Sequence, residues 1–216
     1  MTDDPLIATR TTTRLLDALR GVGDQSNELA WAHIDQRFRP VIVGLARRLG
    51  LRESEADEVG QQTLSEFVKA YREGRYDRTK GRLSSWILGI AHHTTLKVMR
   101  GSRRAGGAGV GGSTWLDEVP SGEETHPPHE QLRSIWTDER DRCILERALG
   151  VLRDESAVDD RTLLAFELVG LRGVPAAQVA EQCGMSVDQV YVAKNRVTKR
   201  LRGLVAELTE AFEADA

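Results

Sequence analysis

The sequence predicts an all-α fold with two small helical domains joined by a flexible acidic and Gly-rich linker. Three observations support this prediction. Apolar residues recur at helical spacing in both halves of the 216-residue chain. No stretch shows the alternating pattern that is typical of a strand. Between the two halves, residues 105–131 are rich in Gly, Pro, Ser and acids, a composition that buries too little apolar surface to fold alone.

These observations divide the chain into five segments. We expect an N-terminal tail at residues 1–16, a helical domain at 17–104 and the linker at 105–131. A second helical domain follows at 132–210, and residues 211–216 form a C-terminal tail. Two compact domains on one tether can contact two separated sites at once.

The first domain begins with three predicted helices. Leucines predict a short helix that ends at Gly21, and apolar spacing over residues 31–49 predicts a longer one, kinked or broken at Pro40. Ser54 and Asp57 predict a capping-box start for a third helix, which ends at Gly74. A basic loop over residues 75–82 then leads to a helix from Ser84 or Ser85 to about residue 100.

The second domain is predicted to hold helices over residues 134–152 and 159–170, followed by a helix-turn-helix. Pro175 suits the first position of a helix, Gly184 suits a left-handed turn, and Ser186 suits the N-cap of the next helix. That helix carries an apolar stripe at Val187, Val190, Val197, Leu201, Leu204 and Leu208.

The opposite face of this last helix is predicted to contact DNA. Residues 186–202 contain five Lys or Arg residues and one acid. A basic helix after a tight turn is typical of a recognition helix that enters the major groove. The predicted contact residues are Asp188, Gln189, Tyr191, Val192, Asn195, Arg196 and Lys199.

Composition limits the class of protein. The net charge of −3 excludes a general polyanion binder, although basic and acidic residues are segregated along the chain. Cys143 and Cys183 lack metal-ligand spacing and are expected to be buried thiols of a reducing compartment. No apolar run approaches membrane-spanning length, and the N-terminus lacks the core of a signal peptide. We therefore expect a cytoplasmic protein with no membrane contact.

No pattern in the sequence indicates catalysis, a metal or a cofactor. The Gly-rich run at 106–112 lacks the Lys-Ser/Thr ending of a phosphate loop. His126 and His129 have no companion ligands, and His92 and His93 point about 100° apart on a helix. We expect none of these histidines to hold a metal.

Residues 72–104 suggest a second nucleic-acid surface. The segment combines basic side chains with Tyr76 and Trp86, the combination with which proteins hold unpaired bases. The alternative is that Trp86 is a core residue, since it precedes Ile90 by one helical turn.

Three blocks resemble bacterial RNA polymerase sigma factors of the sigma-70 family, of the extracytoplasmic-function (ECF) type. Residues 55–63 are similar to the family's acidic helix, residues 80–91 to its GSFRAWLxxIA segment, and residues 173–202 to its helix-turn-helix. The chain departs from the family pattern at Gln62, Leu83, His93, Lys97 and the Tyr-Val-Ala run at 191–193. These departures affect promoter preference most.

The resemblance implies a role for each block. The acidic helix would bind core RNA polymerase through Asp57, Glu58, Gln61 and Gln62. The next segment would recognise and melt the minus-ten promoter element, and the recognition helix would contact the minus-thirty-five element as duplex. The minus-ten residues would be Lys80, Arg82, Trp86, His93, Lys97 and Arg100.

The implied partners are core RNA polymerase and promoter DNA, both duplex and melted, with an anti-sigma factor as a further candidate. Such a protein is not an enzyme by itself. One alternative is a stand-alone helix-turn-helix regulator whose N-terminal domain binds an effector or partner. Another is a sigma mimic that sequesters a regulator. Residues 55–63 and 80–91 distinguish these hypotheses, because a plain repressor needs neither block.

Overall fold

The computed structural model describes Leu19 and residues 25–105, 130–154 and 158–213. These residues contain α-helices with short 3₁₀ and π turns and no strand, which confirms the all-α prediction. The chain groups into two compact units. Of the described residues, those up to 143 and 211–213 form unit 1, and residues 144–154 and 158–210 form unit 2.

Three helices form the centre of unit 1. They are α1 (Gln25–Arg48), α2 (Glu53–Arg72) and α3 (Leu83–Ala105), and each packs against the other two. Their apolar faces meet in a core of fully or almost fully buried side chains: Ile34, Phe38, Ile42, Leu45, Leu64, Phe67, Leu83 and Ile87. A 3₁₀ turn (Arg78–Lys80) lies in the connection between α2 and α3.

Helix α1 continues through Pro40, so the expected break does not occur. Pro40 is exposed, whereas Phe38, Val41 and Ile42 around it are buried. Packing of these neighbours holds the helix although Pro removes one backbone hydrogen bond. Of the short helix predicted before Gly21, only Leu19 is described. It is helical and buried, and its carbonyl accepts a 3.0 Å hydrogen bond from Arg72.

The predicted start of α2 at Ser54 is wrong, since the helix begins at Glu53 with Arg52 as its N-cap. The Glu55 carboxylate accepts hydrogen bonds from the Arg52 backbone N–H at 3.0 Å and from its guanidinium at 2.9 Å. Those bonds, and a 2.6 Å bond from Ser102, lower the pKa of Glu55 to about 2. The predicted end is confirmed, because Gly74 follows with φ +75°.

Helices α4 (Glu130–Asp154) and α7 (Val187–Glu213) each contribute to both units. The last turn of α7 belongs to unit 1, where Ala211 and Phe212 are buried. Arg37 of α1 donates to the Phe212 carbonyl, and its guanidinium lies 4.6 Å from the Phe212 ring centre. Residues 211–213 are therefore helical and packed, where a tail was expected.

The first half of α4 contacts α1 through one buried carboxylate. Glu139 is 5% exposed and accepts hydrogen bonds from Arg48 at 2.9 Å and from Arg142 at 2.7 Å. The carboxylate lies against Gly44, where an added Cβ would clash with Glu139 Oε2. Residues 130–143 consequently group with unit 1, although the sequence placed residues 132–210 together.

Unit 2 contains the second half of α4, then α5 (Asp160–Phe166), a π turn (Glu167–Leu171), α6 (Ala176–Cys183) and most of α7. Asp159 caps α5 by accepting from the Thr162 N–H at 2.9 Å, a bond that lowers the pKa of Asp159. A small core joins α5, α6 and α7: Ala165, Val179, Ala180, Cys183, Val190 and Ala193. Neither cysteine forms a disulfide; Cys183 is buried and Cys143 is half-buried.

Candidate polymerase and nucleic-acid surfaces

A tight turn joins α6 to α7, as the sequence predicted. Gly184 adopts φ +59°, and the Met185 N–H donates to the Ala180 carbonyl at 2.9 Å. Ser186 Oγ accepts from the Gln189 N–H at 3.1 Å, while Gln189 Oε1 accepts from the Ser186 N–H at 2.8 Å. This reciprocal pair is a capping box, which confirms Ser186 as the N-cap. Pro175 differs from the prediction by one position, because it is the N-cap of α6 rather than its first residue.

Helix α7 has a buried face and an exposed face. Val190, Val197, Leu204 and Leu208 are buried as predicted. Val187 was expected to join them, but it is 41% exposed because it lies in the first turn, at the edge of this stripe. The predicted DNA-contact residues share exposure to solvent: Asp188, Gln189, Tyr191, Val192, Asn195, Arg196 and Lys199.

Helix α3 carries the residues that the sequence assigned to the minus-ten element. Trp86, His93, Lys97 and Arg100 follow one another at intervals of seven, four and three residues, which places them along one side of the helix. The last three are exposed. Lys80 and Arg82 are also exposed, in the connection before the helix begins. The six predicted residues thus form one stripe and one basic loop next to its start.

An aromatic cluster holds this loop against α2 and α3. Trp86 is half-buried and stacks on Tyr76 with ring centres 5.2 Å apart. Trp86 and Phe67 also meet in an edge-to-face arrangement, with ring centres 5.6 Å apart. Tyr76 also lies 6.1 Å from Tyr71, and its hydroxyl donates to the Gly81 carbonyl at 3.2 Å. The Trp86 ring is therefore partly buried, as the core interpretation predicted. One of its two faces is covered by Tyr76 and is not open to a base.

The acidic face of α2 points away from the core of unit 1. Asp57, Glu58 and Gln61 are exposed, whereas Gln62 is half-buried and donates a 2.7 Å hydrogen bond to Glu58. These four residues lie in two consecutive turns on one side of the helix. Glu55, at the start of the same acidic block, is instead engaged in capping α2.

Glu66 of α2, which interacts with residues of α3, was not predicted from the sequence. Its Oε2 is buried without a hydrogen-bond partner, and burial raises its pKa to about 7. Lys97 and the Thr94 hydroxyl on α3, and Lys69 on α2, pull the pKa down but do not outweigh burial. Only the spacing of four residues from Gln62 hinted at this position, and the spacing gave no sign of the electrostatic interaction with Lys97.

The two neighbouring histidines of α3 lie in the described part of the chain. His92 and His93 have ring centres 5.9 Å apart, and no group of three or more potential metal ligands occurs in the described part of the chain. The Gly-rich run, His126 and His129 lie outside the described residues. In residues 25–105, 130–154 and 158–213, no helix combines the length and apolar character that a membrane crossing requires.

Comparison with known families accounts for the helices of unit 1. Residues 34–105 match the model of sigma-70 region 2. This match supports a sigma-70 family sigma factor. The matched residues include most of α1 and all of α2 and α3, and so contain the acidic face, the basic loop and the α3 stripe. No curated protein matches the chain.

The region 2 match supports a coarse function. A region 2 domain implies that the protein binds core RNA polymerase and takes part in promoter recognition. The hypothesis of a stand-alone helix-turn-helix regulator is not favoured by this match.

Proposed function

We propose that this chain is an ECF-type sigma factor that directs core RNA polymerase to particular promoters and helps to open them. The observation that carries the proposal is the sigma-70 region 2 match over residues 34–105, followed later in the chain by an exposed basic helix after a tight turn. In this proposal residues 17–104 act as region 2, residues 132–210 act as a region 4-like domain, and residues 105–131 link them.

The proposed polymerase contact is the exposed side of α2. Asp57, Glu58 and Gln61 present two charges and an amide to solvent, and few internal contacts would have to be broken on docking. Gln62 supports Glu58 through its 2.7 Å hydrogen bond, which orients the carboxylate before it meets a partner. A preformed side chain loses less conformational entropy on binding.

The proposed minus-ten surface comprises the basic loop and the α3 stripe. Lys80, Arg82, Lys97 and Arg100 supply positive charge for the DNA backbone, while His93 lies within the stripe at a position open to a base. Tyr76 fixes the loop through its stack on Trp86 and its bond to Gly81. Flipping a base out of the duplex costs a few kcal/mol per step, so a rigid and positively charged surface that captures the base favours opening.

The proposed minus-thirty-five surface is the exposed face of α7. Asn195 and Arg196 would bond base edges in the major groove, and replacing either with Ala should cost about 1–3 kcal/mol and alter sequence preference. Lys199 would contact phosphate. Lys199→Ala should weaken binding evenly across sequences and reduce the slope of log affinity against log salt by about one.

Charge reversal on α2 tests the polymerase contact. We expect the double variant Asp57→Lys/Glu58→Lys to lower affinity for core RNA polymerase at least tenfold, measured with labelled full-length chain. Glu207→Lys/Glu210→Lys is the matched control, because it makes the same change in net charge at two exposed acids of α7. Equal losses in the two double variants would mean that net charge, and not this face, determines binding. A wild-type chain that binds duplex DNA tightly but ignores core polymerase would disprove the sigma-factor proposal.

A further inference from the structure

The first two turns of α7 expose an unusual amount of apolar surface. Seven large apolar side chains are notably exposed among the described residues, and three of them are Val187, Tyr191 and Val192. Val192 is 66% exposed and Tyr191 is 49% exposed. An isolated surface helix rarely keeps such a cluster, so contiguous apolar exposure points to a contact surface.

The surroundings of this cluster indicate what it contacts. Beyond Val192 the same face of α7 continues with Asn195, Lys199 and Arg202, all exposed. Five basic residues and one acid lie between residues 187 and 202. The charge therefore complements a polyanion, while the apolar side chains stand at the N-terminal end of the helix, the end that contacts base edges in helix-turn-helix proteins.

In the major groove of duplex DNA, one kind of group on the base edges can pack against apolar side chains at this position. Most groups on the base edges in the major groove are hydrogen-bond donors or acceptors, whereas the C5-methyl group of thymine is apolar. Tyr191 and Val192 project about 100° apart around the helix axis, so they reach different base steps. Asp188 lies on the exposed face between them and can accept a hydrogen bond from a cytosine or adenine amino group.

We infer that Tyr191 and Val192 determine upstream promoter preference by packing against thymine methyl groups. This inference rests on the proposed function and specifies the base chemistry that α7 recognises. The two residues favour an element with at least two thymines on its major-groove face. The Asp188 carboxylate disfavours guanine beside them, because guanine presents two acceptors there.

Removing the methyl group without changing base pairing tests the inference. The full-length chain, bound to core RNA polymerase, would first select upstream elements from a library of randomised duplexes. Each thymine of a selected element would then be replaced with uracil, which lacks only the C5-methyl group. We expect uracil at two positions to lower affinity about threefold to fivefold each, the ratio that one buried methyl group supplies.

Variants assign each methyl group to a side chain. Val192→Ala should lower affinity for the thymine element and abolish the uracil effect at one position, and Tyr191→Ala should do so at another. Tyr191→Phe is the control, because it keeps the ring and removes only the hydroxyl, so uracil sensitivity should persist. Both residues are exposed, so the variants should retain wild-type helical circular dichroism.

Each outcome has a distinct meaning. Selected elements whose thymines are all insensitive to uracil would overturn this inference and leave the proposed function intact. Weaker core-polymerase binding by Val192→Ala, without any methyl dependence, would overturn it by making the cluster a protein contact. A wild-type chain that neither binds core polymerase nor selects any sequence would instead disprove the proposed function itself.

Discussion

Replacing Glu66 with Gln tests the electrostatics between α2 and the stripe on α3. Glu66 is half-buried, and its Oε2 has no hydrogen-bond partner. Burial raises the pKa of the carboxyl group from 4.5 to about 7, although Lys97, Lys69 and the Thr94 hydroxyl oppose the change. Gln has the same size and cannot ionise, so the substitution removes the titration while keeping the packing.

The raised pKa makes the free energy of unfolding depend on pH. Between about pH 4.5 and 7 the folded protein holds a proton that the unfolded chain releases, so stability is complete below this window and falls as pH rises through it. If the whole pKa shift of Glu66 acted on stability, the free energy of unfolding would change by about 3 kcal/mol. Because the side chain is only half-buried, we expect about 1–2 kcal/mol. Glu66→Gln should therefore be more stable than wild type by that amount at pH 8, and equally stable near pH 4.

Urea unfolding at several pH values measures this difference. Tryptophan fluorescence is the suitable signal, because the described tryptophans, Trp31, Trp86 and Trp136, all lie in unit 1. Glu207→Gln, at an exposed position of α7, is the control and should differ little from wild type at any pH. A stability difference between Glu66→Gln and wild type that stays constant from pH 4 to 8 would refute the reasoning.

Three further substitutions, the first with a matched control, test contacts that the structure reveals. Gly44→Ala would displace the Glu139 carboxylate and should destabilise unit 1 by about 1–3 kcal/mol in urea unfolding. Gly89→Ala, with open space at its Cβ, should be neutral or slightly stabilising, and equal effects at the two glycines would contradict the close approach. Tyr76→Phe removes the hydrogen bond to the 75–82 loop and should cost about 0.5–1.5 kcal/mol, with faster proteolysis of that loop; unchanged proteolysis would count against the anchor. Ser186→Ala should cost about 1 kcal/mol of unit 2 stability and lower helical circular dichroism on mild heating, and an unchanged melting curve would contradict the cap.

Local chemistry explains which parts of the fold the sequence predicted. Gly184 and Ser186 were predicted correctly because a left-handed glycine and a capping serine act within a few residues of their own position. Ser54 was a wrong start for α2, since the Arg52 and Glu55 pair competes for the same helix end and supplies more hydrogen bonds. Two adjacent capping patterns cannot be ranked from composition alone.

Long-range contacts explain what the sequence did not predict. Residues 130–143 belong to unit 1 because Glu139 meets Arg48 and Gly44, which lie more than ninety residues earlier in the chain. Phe212 is buried for a similar reason, since Arg37 both donates to its carbonyl and contacts its ring. Amphipathic spacing identifies these helices but not their partners.

For the candidate surfaces too, local patterns could be predicted from the sequence, whereas contacts between side chains could not. Exposure of the α7 face could be predicted because the helical period separates Val190 and Val197 from Asn195. The sequence suggested Tyr76 as a base-stacking residue, whereas the structure uses its ring and hydroxyl to anchor the loop. Only the folded arrangement distinguishes a ring open to a ligand from one already stacked on Trp86.

Transcription by purified core RNA polymerase on genomic fragments, with and without this chain, tests the central claim most directly. We expect the chain to produce transcripts that start at a small set of discrete sites, and Asp57→Lys/Glu58→Lys to abolish them. The upstream regions of those sites should share an element that binds α7. An identical transcript pattern with and without the chain, while the chain binds duplex DNA alone, would contradict a sigma-factor function.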